Sequence, residues 1–380
     1  MQGQKLTVAR ILALGALTLF LVAMLGFVRP FERLNDFLSS KSMPMQPALQ
    51  DPRLWADGDD LRPSLQTRPL LPPQTRQILI MGNSQQYTCS VAKGEKPRQD
   101  HRAILASDLL AAKLNSGQSA SSAVYNSSVP NQTFVEELWQ GIYWFRVSPR
   151  RPAVLILQSS FDTFRKLGIR PGFQTLLGDP AFAEAQQQFA SPGQSYYNEF
   201  IAARSDFEKR KLELGTANGK MVTTEGLLRS VLEKVPLYRD REKERGSFLD
   251  ILYVARVFAL GISPTTRRHI LGQPLEENFT ALRDLIRLAR SSGCRVFIYN
   301  GPVNPAVSMF FEDEYRAYLK HLRALAASES SQFEDLSSAV PSMHWGYWVN
   351  GPDPIHFNEQ GHQVLAERLY QAFGPALLEP

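Results

Sequence analysis

The sequence predicts an α/β fold: a three-layer sandwich around a central parallel sheet. Three observations predict it. Apolar, strand-like runs alternate with amphipathic helical stretches from Gln77 onward, the rhythm lapses between Phe161 and about Thr266, and it returns at Leu275 to run to the carboxyl end. The 380 residues suffice for one large α/β domain with an insertion, preceded by a leader.

In chain order, the first element is the apolar run from Ile11 to Val28, which carries no charge. At about 1.5 Å per helical residue it spans roughly 27 Å, close to a hydrocarbon core. Lys5 and Arg10 precede it and place the amino end in the cytoplasm, although Arg29 and Arg33 follow. Residues 1–30 therefore read as an uncleaved transmembrane helix that holds the chain on the lipid bilayer, with a cleaved signal peptide as the rival. Either way the remainder is expected outside the cytoplasmic membrane, periplasmic or on the cell surface. Residues 31–76, rich in Pro, Ser, Asp and Gln, read as a stalk or a strap.

From Gln77 the domain begins, and it is expected to run over 77–380. "QILIM" is a strand, "HRAILASDLLAAKLN" a helix, "SAVYNSSV" a strand, "TFVEELWQGIYWFRV" a helix and "PAVLILQSS" a strand, in the β-α-β-α-β order of parallel strands with right-handed crossovers. Residues 166–270 read as a helical insertion, with helices around Pro180 to Ala190 and Thr223 to Leu232. The rhythm returns with "LEENFTALRDLIRLARSSG" as a helix, "CRVFIYN" as a strand and "EDEYRAYLKHLRALAAS" as a helix. "NEQGHQVLAERLYQAF" closes the domain as a helix capped by Asn358.

Bulk properties exclude several functions. The 42 Lys+Arg against 37 Asp+Glu give a net charge of +5 without a concentrated basic stripe, so no nucleic-acid partner is expected. The two cysteines, Cys89 and Cys294, make neither a disulfide framework nor a metal knuckle; whether they pair is left open. "MGNSQQYT" offers one glycine where a dinucleotide fold needs three. No metal or other cofactor is expected.

The chemistry concentrates at two places. In "ILIMGNSQQYT" an apolar strand ends at Gly82, so that Ser84 stands at the carboxyl edge of the sheet, where open sheets bind ligands. The bland alternative is that Asn83 or Ser84 caps the next helix. A serine nucleophile needs a base held by a third group. Of the six histidines, His101, His269 and His321 sit among charged residues as surface groups, His344 in an aromatic loop and His362 in the last helix. His356 follows Asp353 by three residues in "GPDPIHFNEQGH", a Gly/Pro-punctuated loop whose tight turn can set the carboxylate on one ring nitrogen and leave the other free for a serine.

These blocks resemble the SGNH/GDSL hydrolases. Behind an amino-terminal anchor, "IMGNSQQYT", "YNSSVPNQ" and "DPIHFNEQGH" look like the extracytoplasmic SGNH proteins of the DltD and AlgJ/AlgX type. The resemblance covers about 77–162 and 294–373. It implies a flavodoxin-like SGNH fold and assigns Ser84 as nucleophile, Asp353 as orienting acid and His356 as base. It also implies a serine esterase or O-acyltransferase that acts on an acyl donor or an acylated glycan, with a membrane-bound O-acyltransferase as partner. A catalytically weak polymer-binding or assembly protein is the alternative. The family expects oxyanion donors from a second-block glycine, where Ser128 or Asn131 stands here, and from a third-block asparagine, where Gln158, Ser159 or Ser160 stands. Trp345, Tyr347 and Trp348 are candidates to stack on a sugar ring, or else wedge the long loop against the core.

Overall fold

The computed structural model describes residues 75–86, 89–90, 105–116, 122–129, 131–149, 151–189, 196–218, 267–270, 272–307, 309–348 and 351–379. The expected anchor, the stalk up to residue 74 and the helix expected at Thr223 to Leu232 lie outside the described residues. Among the described residues no helix is long and apolar enough to cross a membrane.

The strands are β1 (Arg76–Met81), β2 (Ser122–Asn126), β3 (Val154–Ser159), β4 (Arg295–Asn300) and β5 (Gln332–Asp335). They pair in the order β2-β1-β3-β4-β5, and every pair is parallel. This is the doubly wound, flavodoxin-like order, in which the direction of winding reverses between β1 and β3 and opens a crevice beyond their carboxyl ends. Ser84 follows β1 at that switch point.

The alternating side chains of each strand feed two cores, as a sheet covered on both faces requires. Leu79, Met81, Leu155, Leu157, Val296 and Ile298 belong to one. Ile78, Ile80, Val154, Ile156, Phe297 and Tyr299 belong to the other. The first face is covered by α2 (Phe134–Ile142) and α5 (Gly272–Ser291), the second by α1 (Ala106–Asn115) and α7 (Glu359–Leu378). Helix α2 starts on a capping box, with Thr133 Oγ1 accepting from Glu136 N and the Glu136 carboxylate from Thr133 N. Gly141 lets α2 and α5 close up, since a Cβ there would lie 2.3 Å from Leu285 Cδ1. Both cysteines are buried, and they do not pair with each other as a disulfide.

The structure departs from the sequence reading at four elements. The helix expected to run on to Val147 changes at Tyr143 into a π-turn over Tyr143–Val147, closed by Ser148 N on Tyr143 O. Helix α3 (Pro180–Phe189) was expected, but α4 (Tyr197–Asn218) was not: Phe200 and Ala203 are buried, while the charged residues beyond blur any apolar stripe. After α6 (Glu312–Ser328), β5 is a four-residue, half-exposed edge strand too short to read by alternation. Finally, "GPDPIHF" is a strand and not a loop. It forms β7 (Gly351–Phe357), antiparallel to β6 (Trp345–Trp348), and Pro352 and Pro354 are tolerated because the ribbon has only two strands.

Candidate active site

The turn after β1 is built by small and amide side chains. A Cβ on Gly82 would lie 2.6 Å from Gln158 Oε1, so only glycine lets β1 pass the end of β3 here. Asn83 then closes the one-turn 3-10 helix Ser84–Gln86: its Oδ1 accepts from Gln85 N (3.0 Å), and its Nδ2 donates to Ser160 Oγ (2.7 Å). Asn83 is thus the cap, and the Ser84 side chain is left for other work.

Ser84 Oγ stands 2.9 Å from His356 Nε2, and His356 Nδ1 stands 3.0 Å from Asp353 Oδ2. Asp353 is fully buried and His356 is 6% exposed. The three-residue spacing works through an Asx turn within β7, in which Asp353 Oδ1 accepts from the N–H groups of Ile355 (2.8 Å) and His356 (3.0 Å). Burial pushes the Asp353 carboxyl up, but the hydrogen bond and charge of His356 and the two N–H groups together hold it below the usual carboxylate range. With Nδ1 donating to that carboxylate, Nε2 is the acceptor and faces the serine hydroxyl.

Sequence reasoning missed three supporting side chains. Ser90 Oγ donates to Asp353 Oδ2 (2.9 Å), while Ser90 N donates to Phe357 O (2.7 Å) and ties its segment to β7. A Cβ on Gly346 would lie 2.1 Å from Ser90 Cβ, so β6 leaves room for this contact. Asn304 Nδ2 donates to Asp353 O (2.8 Å). Gln85 Nε2 donates to Pro302 O and Ile355 O, binding the nucleophile turn to the ends of β4 and β7. The segment "YNGPVNP" from Tyr299, which holds Asn304, ends β4 at the same edge of the sheet, and it is the one local signal for any of them.

The oxyanion candidates separate. The Ser84 N–H makes no hydrogen bond among the described residues. Ser128 N–H is taken by Asn126 Oδ1 (3.1 Å) and its hydroxyl is buried, because Ser127 N and Val129 N dock this loop on Ile80 O and Gly82 O. Asn131 is exposed, in the left-handed region at φ 51. Gln158 is buried, with Nε2 on Gln85 Oε1 (2.5 Å) and Oε1 accepting from Asn83 N (3.4 Å), so its amide is committed to holding the turn. Ser159 Oγ is buried against Tyr318 OH. Ser160 alone of the third block keeps a half-buried hydroxyl at the edge of the crevice, on Asn83 Nδ2 and Thr163 Oγ1.

For Trp345 the structure favours the second of the two aromatic readings, the wedge against the core. Trp345 is 3% exposed, donates Nε1–H to Val340 O (3.1 Å) and meets Phe357 edge-on at 4.8 Å, so it is core and offers no face to a sugar. Trp348 lies opposite Gly351, and its side chain is outside the described residues. Among the described residues no cluster of His, Cys, Asp or Glu is placed to hold a metal ion.

No family model and no curated protein matches the chain. Among solved structures it is similar to the M. smegmatis aryl esterase (11% identity, TM-score 0.39, covering 80% of this chain and 100% of the other). It is also similar to a GDSL-like lipase from Parabacteroides merdae (12%, 0.40, 79% and 96%). A third likeness is to a carbohydrate acetylesterase from Sinorhizobium meliloti (11%, 0.36, 80% and 100%). At such identities and scores each is a likeness in chain course, and the chemistry of the site rests on its own distances.

Proposed function

We propose that this protein is a serine-dependent esterase or O-acyltransferase of the SGNH type. The observation that carries the reading is the hydrogen-bonded series Ser84–His356–Asp353, with contacts of 2.9 and 3.0 Å at the switch point of the sheet. Ser84 Oγ attacks the acyl carbonyl while its proton passes to His356 Nε2, and Asp353 holds the imidazolium that forms. On collapse of the tetrahedral intermediate His356 returns the proton to the leaving alkoxide, which departs as an alcohol and leaves the acyl group on Ser84. Water, or a glycan hydroxyl, then repeats the sequence with His356 as base. The Ser84 N–H is one oxyanion donor, and the Ser160 hydroxyl is the side-chain candidate for a second.

The cellular setting belongs to the same proposal. The charge-free run from Ile11 to Val28 supports a single-pass anchor in the cytoplasmic membrane with an extracytoplasmic domain. The glycan substrate and the membrane-bound O-acyltransferase partner rest on the resemblance of the three sequence blocks. One observation favours the alternative of a weakly catalytic polymer-binding or assembly protein. The Gln158 amide is tied up, and loss of one side-chain oxyanion donor is worth roughly 3 kcal/mol of transition-state stabilisation.

Labelling of the purified protein with a serine-reactive fluorophosphonate, followed by peptide mass analysis, tests the reading. Ser84 is the expected site, and Ser84→Ala is expected to abolish ester hydrolysis with the unfolding transition unchanged. Label on a different serine, or undiminished turnover in Ser84→Ala, removes the assignment.

A further inference from the structure

A cavity of about 30 Å³ opens beside the nucleophile. Asn83 and Gln85, the chain neighbours of Ser84, line it, as do Pro354 and Ile355, the two residues between Asp353 and His356. We propose that this cavity receives the acyl chain of the substrate and selects an uncharged chain of about four carbons or fewer, a specificity that rests on the serine-esterase reading above.

Volume sets the length. A water needs roughly 10–15 Å³ of such space, so the cavity admits about two to three non-hydrogen atoms beyond the carbonyl carbon, the tail of an acetyl to butyryl group. A sugar ring does not fit, which leaves the alcohol portion on the open side. The walls are also stiff. Phe310 stacks on Tyr315 (5.4 Å, interplanar 7°) and packs on Phe161 (4.3 Å), and the buried Met309 lines the cavity beside Phe310. Lengthening the chain therefore meets packed rings, and one methylene too many costs 10-fold or more in such a pocket, by about 1–3 kcal/mol per group.

Charge sets the second preference. Asp162 is the one titratable residue among the described lining. Both of its oxygens accept from Arg268 Nη1 (2.9 and 2.8 Å), and Oδ1 also accepts from Arg165 Nη1 (3.0 Å). Two guanidiniums on one carboxylate neutralise it, so that wall offers no unpaired negative charge to a cation. An acyl chain bearing an ammonium group is desolvated there without a free partner, whereas an alkyl chain of the same size meets Val303, Met309, Phe310 and Ile355.

The test uses the full-length protein and 4-nitrophenyl esters, with the uncatalysed rate subtracted. Acetate, propionate and butyrate are expected to give kcat/KM within about tenfold of one another, with a fall of at least about thirtyfold at hexanoate and octanoate. Glycinate, the ammonium isostere of propionate, is expected to be at least about tenfold poorer than propionate. Two variants push in opposite directions. Met309→Ala is expected to raise hexanoate over butyrate by about tenfold, and Val303→Phe to depress butyrate relative to acetate by a similar factor. Octanoate turned over as well as butyrate, glycinate as good as propionate, or a chain-length profile unmoved by both variants overturns the assignment of the cavity while leaving the esterase reading intact. Hydrolysis of no ester, with Ser84 unlabelled by fluorophosphonate, overturns both.

Discussion

The Asp353 carboxylate accepts from two backbone N–H groups, from the His356 ring and from Ser90 Oγ, so its orientation is set by several donors. Asp353→Asn presents an amide where the imidazole needs a carboxylate, and is expected to lower kcat by on the order of 10³–10⁴. Ser90 acts through Asp353 and is a positioning residue. Ser90→Ala is expected to lower kcat about tenfold, the worth of one hydrogen bond to a charged group, with KM unchanged, and Ser90→Thr to restore most of the loss. If Ser90→Ala moves KM and thermal stability but not kcat, its hydroxyl serves only to fasten the segment to β7 at Asp353. The difference between these residues is also a difference in legibility. Ser84, Asp353 and His356 declare themselves by residue type beside a strand end or a turn. Ser90 meets its partner across 263 residues of chain, and nothing local marks it. Trp345 stayed ambiguous because an aromatic in a Gly-rich string reads the same whether its ring faces solvent or Phe357.

At the scale of elements, α2 carries a buried conflict. Glu137 is fully buried, and neither carboxyl oxygen has a hydrogen-bond partner among the described residues. Burial first, and the neighbouring Glu136 charge second, push its carboxyl well above the ordinary value. The native state thus keeps a proton that the unfolded chain releases above about pH 4.5, and stability falls as pH rises through that window toward the folded pKa. Glu137→Gln has no such proton to keep. It is expected to match the wild type near pH 4 and to exceed it by about 1–3 kcal/mol at pH 8, read from urea unfolding midpoints across that range. A constant difference at all pH values would mean that Glu137 titrates alike in both states. In the sequence "FVEELWQGI" this glutamate passes for a surface residue, because periodicity shows which face is apolar and not what covers the other. The hairpin of β6 and β7 was illegible for a related reason: Gly346, Gly351, Pro352 and Pro354 signal a loop, and only pairing across the ribbon makes them a strand.

For the whole molecule, the order of helices and strands was legible wherever both faces of the sheet are buried, since each strand there is a short apolar run and each covering helix has a stripe. The short edge strand β5 and the long, polar α4 lack those signatures. The proposed anchor gives a test at this scale. The full chain is expected in the membrane fraction, resistant to carbonate washing, and removal of residues 1–30 is expected to release it. Recovery of the intact full chain from the cytosol would contradict the anchor.

The Ser84–His356 contact spans 272 residues, and the turn that carries Ser84 is held by Gln85 on Ile355 O and by Ser90 on Phe357 O. The reactive assembly therefore forms only after residues 351–357 have been made. A nascent protein that has not yet delivered residues 351–357 has its serine but no base, and so carries an inert hydroxyl through synthesis and any passage across a membrane. Fluorophosphonate reactivity during synthesis should accordingly switch on only after residues 351–357 emerge and in a single step, timing the docking of β7 against the turn that follows β1.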